Sequence, residues 1–387
     1  MKHENVKRKA VKRENVRRGK TFTLHVSLFI LGCLLSSCAG LSTCPVLAVQ
    51  GSTKPVVKIG LVAPFEGLHR RVGYDVLYAV KLAVRECNAA GGVSGYQVEL
   101  AALDDSNDPG QAPLQARKMI VDADVMGVIG HFSDETALAA LDEYHRAGLA
   151  LITPVAADAV TERGYPEVFR LYARNDRLGA EAARYVVEEL GMHRLAVLRG
   201  SDDLADAFIQ AAEQLGATIV LDADFTQYAI RNTQHVSRFT SAELVFFSGG
   251  AVEGGEVIAR ARGAGVVATF MGSSELARSQ LVQIGGEAVR GTLYITAAPE
   301  INVGDYVIGY QSLAGRLPGP QAIMAYDAAR VLLEALARAI ESQGRPVRGA
   351  VVAELSTLQN YPGLIGPITF DDKGDLVDPE TYIYRVE

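Results

Sequence analysis

Cysteine is scarce in this chain, and what there is does not form a site. Cys33, Cys38, Cys44 and Cys87 are four residues in 387, and none stands with histidine at the spacing of a zinc ligand pair. Cofactor fingerprints are missing as well. "SGGAVEGGEV" is glycine-rich after an apolar run, yet it has neither the GxGxxG spacing nor a Walker lysine, so it reads as a tight turn. No GxSxG elbow occurs, and no nucleophile sits beside a base. No metal and no cofactor is expected, and an enzyme built on two Rossmann-like domains ranks last among the readings. Beyond residue 37 no run is long and apolar enough to span a bilayer. Basic residues are in deficit there too: residues 1–37 hold nine Lys/Arg and two Glu, leaving 29 basic against 43 acidic residues. A body with a net charge of −14 repels nucleic acid and anionic membrane surfaces.

What is present begins with an export signal. A basic segment, "MKHENVKRKAVKRENVRRGK", precedes the short apolar "FTLHVSLFILGCLLSS". Leu35-Ser36-Ser37-Cys38 resembles a bacterial lipobox, which would make Cys38 the lipidated first residue of the mature protein. The other reading is a simple secretory peptide cut near "CPVLA". One lipid would hold a body to the membrane without embedding it. Residues 38–55 read as a tether, and Cys44 lies in it. Cys87, on the apolar side of "AVKLAVRECNAAGG", reads as a small buried hydrophobe; a Cys44–Cys87 disulfide stays open in an oxidising compartment.

From residue 56 strand-like and helix-like runs alternate. Apolar β-rich runs at 56–64, 97–103, 125–130 and 149–153 are separated by helical patterns at 74–90, 110–123 and 134–147. These strands are near-continuous apolar runs, the mark of a parallel sheet buried on both faces. The pattern then restarts. "VFRLYA", "RLAVLRG", "TIVLDADF", "LVFFSGG", "TFMGSS" and "GTLYITAAP" alternate with helices at 176–190, 202–215, 233–239, 253–264 and 275–284. Helices at 320–343 and 347–356 and two short strands, "GPITFD" and "TYIYRV", close the chain. The fold class is α/β: two βα arrays, each winding with right-handed crossovers, with ligands expected beyond the carboxyl ends of the strands.

Seven pieces in order carry a family resemblance: "VKIGLVAPFEG", "AVKLAVRECNAAGGVSGYQVEL", "LDDSNDPGQA", "VIGHFS", "GLALITPVA", "FMGSSEL" and "GPITFDDKGD". From about residue 56 to the end the chain resembles the periplasmic-type solute-binding proteins of the branched-chain amino acid (Leu/Ile/Val-binding) family. The resemblance implies a type I periplasmic binding protein fold, two Rossmann-like lobes with parallel sheets joined by a three-crossover hinge. By analogy the first lobe holds 56–174 and 299–376, and the second 175–298 and 377–387. It implies a monomeric extracytoplasmic receptor that closes on a small solute and passes it to an ABC permease in the membrane. A ligand sensor signalling to a membrane partner has the same body, and the sequence leaves that alternative open.

The resemblance also locates a site, and here the residues depart from the pattern. The apolar run of "VIGHFSDET" stops at Gly130, and Ser133, Asp134 and Glu135 follow. Where an amino-acid binder of the family offers a serine to the ligand carboxylate, this chain has Asp134; where it offers a threonine after the Val155-Ala156 turn, it has Ala157. The stacking position in "GLHRRVG" falls on Val72, an aromatic position on Leu204, a tyrosine position on Gly250, and the acid that meets the ammonium on Ser274, with Glu275 next to it. A carboxylate about 4 Å from Asp134 would be repelled by on the order of 4 kcal/mol at an effective dielectric near 20, about three decades of affinity. The lost hydroxyl adds about 1–3 kcal/mol. A classical amino-acid site is therefore not expected. Arg70 or Arg71 could neutralise Asp134 or grip an anion, or Asp134 and Glu275 could take a cationic or polyhydroxylated solute. The bland alternative makes Ser133 or Asp134 a helix N-cap. Of the scattered histidines, His131 at a strand end reads as ligand contact, hinge or structural residue, and Tyr326-Asp327 in "MAYDAAR" reads as core.

Overall fold

Near-continuous apolar strands need cover on both faces, and that requirement sets the architecture. The computed structural model describes residues 54–200, 203–225, 241–301 and 304–387. The export signal, Cys38, Cys44, most of the tether and the helix expected at 233–239 lie outside the described residues. Residues Lys54–Glu387 form one compact unit.

Strands β1 (Val56–Ala63), β2 (Gln97–Asp104), β3 (Val125–Ile129), β4 (Ala150–Thr153) and β5 (Val168–Arg170) make a parallel sheet in the order β2-β1-β3-β4-β5. All five residues of β3, VMGVI, are buried, as expected of a strand covered twice. Helices α1 (Arg70–Ala89), α2 (Ala112–Val121), α3 (Asp134–Ala147) and the short α4 (Ala159–Glu162) follow these strands in turn.

The chain then crosses to a second sheet. It comprises β6 (Arg194–Arg199), β7 (Thr218–Asp224), β8 (Leu244–Phe247), β9 (Thr269–Ser273), β10 (Leu293–Thr296) and β13 (Tyr382–Arg385), ordered β13-β10-β9-β8-β6-β7. Its helices are α5 (Asn175–Arg184), α6 (Leu204–Gln214), α7 (Ala251–Gly263) and α8 (Ser279–Gly285). After β10 the chain returns as α9 (Asp305–Ala314), α10 (Pro320–Gln343) and α11 (Arg348–Ser356). α10 packs on α1 and β3, so it covers the first sheet. The small hairpin β11 (Tyr361–Gly363) and β12 (Gly366–Ile368) precedes the last crossing, and β13 joins the second sheet antiparallel to β10. Three passages between the sheets result.

Several expected boundaries shift. α1 begins at Arg70 instead of 74, so "RRVG" is the first helical turn and not a loop. Gly73 permits this: a Cβ there would fall on the carbonyl oxygen of Pro64, at the end of the preceding strand. The helix expected at 275–284 is broken. A 3-10 turn, Ser274–Ala277, is followed by extended backbone at Arg278 and then α8. α4 and α9 had no place in the sequence reading. α3 and α10 have the expected spans. Cys87 is free and half-buried against the main core.

Tyr326 and Asp327 are core residues of α10, and Asp327 is fully buried. Its Oδ2 accepts from the Ile365 N–H at 3.0 Å, while Oδ1 has no hydrogen-bond partner among the described residues. Burial pushes this carboxyl up to about 7, opposed by the Ile365 N–H and by Arg330. An unfolded aspartate ionises near 3.8, so between that value and about 7 only the unfolded chain gives up the proton. The group therefore makes stability fall as pH rises through that window, by up to about 1.4 kcal/mol per pH unit, and has no further effect above it. Urea denaturation at pH 5, 6 and 7 should show this slope in the difference between the wild-type chain and Asp327→Asn.

Candidate functional site

The carboxyl ends of both sheets face one cavity of about 600 Å³. Open α/β sheets place ligands at such ends, because strands stop there and helices begin. Eleven of the twelve candidate residues line it. Arg71 and Val72 come from the start of α1, Ser133, Asp134 and Glu135 from the start of α3, and Val155 and Ala156 from the turn after β4. Leu204, Gly250, Ser274 and Glu275 come from the second sheet's side. Ala157 does not line the cavity and acts through its backbone.

At the start of α3 the cap falls to Ser133, whose Oγ accepts from the Thr136 N–H at 3.4 Å. Asp134 is the first helical residue, and its side chain turns to the turn after β4. Its Oδ1 accepts from the N–H groups of Ala156 at 3.1 Å and Ala157 at 3.0 Å. Arg170, fully buried on β5, holds the same turn from behind. Its Nη1 donates to the carbonyls of Val155 at 3.1 Å and Ala157 at 2.7 Å, and its Nε to Asp375 at 2.7 Å. The Ala156 carbonyl accepts from the Asn175 N–H of α5 at 3.0 Å. Burial raises the Asp134 carboxyl above its usual range and Glu135 adds repulsion; the Ala157 and Ala156 N–H groups and Arg170 pull it back. Arg71 is not the neutralising partner: its Nη1 donates to Ser279 Oγ at 3.4 Å.

Opposite, Glu275 pairs with Arg278 at 2.5 Å. The cleft walls raise its carboxyl, Arg278 opposes, and Asp134 and Glu135 add to the rise. Tyr172, at the end of the first sheet, bridges to Ser274 Oγ at 3.2 Å and Thr296 Oγ1 at 3.0 Å. Glu135 and Glu253 line the cavity without an ion pair or hydrogen bond among the described residues. Leu68, Phe132, Leu178, Phe225 and Met324 supply apolar wall. Tyr172, Glu253, His69 and Arg278 are cleft residues that the sequence did not single out. Tyr172 is hidden in an apolar run, and Arg278 in what reads as an unbroken helix. Glu253 had a signal, since it stands in the first turn of a helix that starts right after a cleft strand.

His131 is no part of the cleft. It is fully buried, with Nδ1 2.7 Å from Asp105 and Nε2 3.2 Å from the Tyr144 hydroxyl. It is a structural histidine.

A family model described as periplasmic binding protein matches residues 56–387. The chain belongs to that family. Its members bind small-molecule solutes, serve ABC transporters and act outside the cytoplasm; the family is one of solute-binding proteins, not of enzymes. The chain is 28% identical over 345 residues to the Leu/Ile/Val-binding protein BraC3 of Rhizobium johnstonii, covering 86% of this chain and 92% of that one. It is similar to the leucine binding protein LivK of Thermotoga maritima, with TM-score 0.74, 25% identity, and 86% and 95% of the two chains covered. A solute binding protein of R. palustris in complex with benzoate has the same fold, with TM-score 0.71, 17% identity, and 86% and 93% covered. These are type I periplasmic binding protein structures, and the two-sheet topology agrees with them.

The buried guanidinium behind the cleft is a structural keystone. Arg170→Met leaves Asp375 without its main partner and is expected to cost about 3–5 kcal/mol. Arg163→Met breaks the exposed pair with Asp142 and is expected to cost under about 1 kcal/mol. Denaturant midpoints of the two variants check the contrast.

Proposed function

We propose that this chain is an extracytoplasmic receptor that traps a small polar solute between two lobes and delivers it to an ABC permease. Residues 1–37 are removed as a signal, a lipid on Cys38 holds the monomer to the membrane, and 38–55 is the tether. The lobes are 56–174 with 299–376, and 175–298 with 377–387; the distribution of strands between the two sheets supports this division. Closure is a hinge motion about the crossings, and the solute contributes its differential affinity for the closed form.

The solute is not a classical branched-chain amino acid. One observation carries this: the Asp134 carboxylate already occupies the Ala156 and Ala157 N–H pair. An incoming α-carboxylate at that place would find its donors taken and a like charge beside it. Glu135 and Glu253, without an ion pair among the described residues, further favour a cationic or polyhydroxylated solute. The ligand-contacting set is Arg71, Val72, Ser133, Asp134, Glu135, Val155, Ala156, Leu204, Gly250, Ser274 and Glu275, with Ala157 holding Asp134.

A thermal-shift screen of purified protein against amino acids, polyamines, amides, nucleosides and small aromatic acids tests the reading. A solute at a hundredfold its Kd stabilises by about 2.7 kcal/mol, which moves the midpoint by a few degrees. Leucine and valine are expected to give no shift, and a response to these two alone would overturn the reading. Asp134→Ser frees the N–H pair, and its calorimetric affinity for leucine is expected to rise by at least about tenfold over the wild-type chain.

A further inference from the structure

The rim of the cleft carries a contact that the solute site does not require. His69, just before α1, faces Arg278, the extended residue that breaks the second-sheet helix before α8. Arg278 Nη1 lies 3.2 Å from His69 Nδ1. Two residues on, Arg71 Nη1 donates to Ser279 Oγ at 3.4 Å. Two neighbouring residues of one side thus meet two of the other, along one seam. The chemistry of the first contact is one-sided. A guanidinium has N–H donors and no lone pair, so Nδ1 must accept and the imidazole must be neutral, with its proton on Nε2.

We propose that His69 and Arg278 form a proton-gated latch across the cleft, which holds the closed receptor only while His69 is neutral. The proposal rests on the reading that the two lobes close on a solute. A second proton on His69 removes the acceptor and sets two cations face to face. The groups around the imidazole make this a real competition. Burial lowers its pKa most, the Arg278 charge lowers it further, and Glu135 from the start of α3 opposes them. Arg278 is itself held by Glu275, through Nη2 at 2.5 Å. Arg70 and Arg71 flank His69 on its own segment and bring positive charge.

The sign follows from linkage. In an open receptor His69 is solvated and titrates near its ordinary 6.5, whereas in the closed one its pKa is lower. Between the two values only the open form takes up the proton, so acid favours opening. The closed-to-open ratio falls by up to about tenfold per pH unit in that window and is level above it. Capture is strongest at neutral pH, and mild acid releases the solute.

The test reads the interlobe distance directly. Spin labels are placed at Val121 and Val267, which are 84% and 89% exposed and belong to the first and second sheet's side. The chain from residue 39 on is used, without the signal and the lipid-bearing cysteine, and with Cys44 and Cys87 replaced by serine. Distance distributions are recorded from pH 8 to pH 5. The wild-type background is expected to move toward the longer distance below about pH 6.5. His69→Gln retains an acceptor for Arg278 and cannot titrate, so its distribution should stay closed and flat with pH. Arg278→Met should be more open at every pH and insensitive to it. Identical pH profiles in the wild-type background and His69→Gln, or a wild-type distance that does not change with pH, would overturn the latch. Two populations without the His69 dependence would leave hinge closure standing and remove the latch alone. A single invariant distance in all three chains would remove hinge closure as well.

Discussion

The cleft depends on one carboxylate held by two backbone N–H groups. Asp134 reaches from the start of α3 to the turn after β4, and each peptide it bonds is also gripped from the opposite side. The peptide joining Val155 to Ala156 donates its N–H to Asp134 and offers its carbonyl to Arg170. The next one donates its N–H to Asp134 and offers its carbonyl to the Asn175 N–H. Carbonyl and N–H of a trans peptide point in opposite directions, so cations and donors behind the turn aim its N–H groups into the cleft. Bonds at both ends polarise the same amide and strengthen one another. The result is an anion seat, and the anion in it belongs to the chain.

That arrangement links the site to the fold. Arg170 is in the last strand of the first sheet, Asp375 lies before the final crossing, and Asn175 opens the first helix of the second sheet's side. One buried guanidinium therefore fixes the cleft turn, the β5 end and a returning segment together. Arg170 N–H also donates to the Gly374 carbonyl at 2.7 Å, so backbone and side chain tie the same two segments. Paired this way the charge is tolerable in the interior; a lone guanidinium there would not be. Tyr172, two residues on, carries the connection across to Ser274 and Thr296. The crossing between the sheets and the cleft wall thus share Tyr172.

Most of the fold was legible because it is written in periodicity. Uninterrupted apolar runs announced doubly covered strands, and α3 and α10 show strong helical spacing with clear ends: Ser133 and Gly148 for one, Pro320 and Gly344 for the other. The break at Arg278 was not legible, since "ELARSQLVQI" reads as helical, and the contact that goes with the break, from Arg278 to His69, is 209 residues away in sequence. The same holds for the start of α1, where space at Gly73 and not propensity sets the boundary. At the site, the sequence marked Asp134 as a departure and gave it charge without an address. Its partners are backbone N–H groups 22 and 23 residues away, and no side-chain pattern encodes them. Of the two arginines weighed as its neutralising partner, Arg71 shares only the cleft lining with it.

The architecture does not by itself fix the ligand. A leucine binding protein and a protein in complex with benzoate share the fold of this chain, so two parallel sheets and a cleft are compatible with chemically different solutes. In this chain a small set of charged groups lines the cavity at the strand ends. Here that set is asymmetric. Asp134, Glu135, Glu253 and Glu275 are spread over both sides of the cavity, whereas His69, Arg71 and Arg278 gather along one seam of it. Two of the acids are already engaged, Asp134 with N–H groups and Glu275 with Arg278. Glu135 and Glu253, one from each side, line the cavity without an ion pair among the described residues. Like charges that line one cavity repel each other, so the empty cleft carries a Coulomb cost. Under the proposed closure, a cation placed between them would reverse that sign, and its binding free energy would favour the form that encloses it.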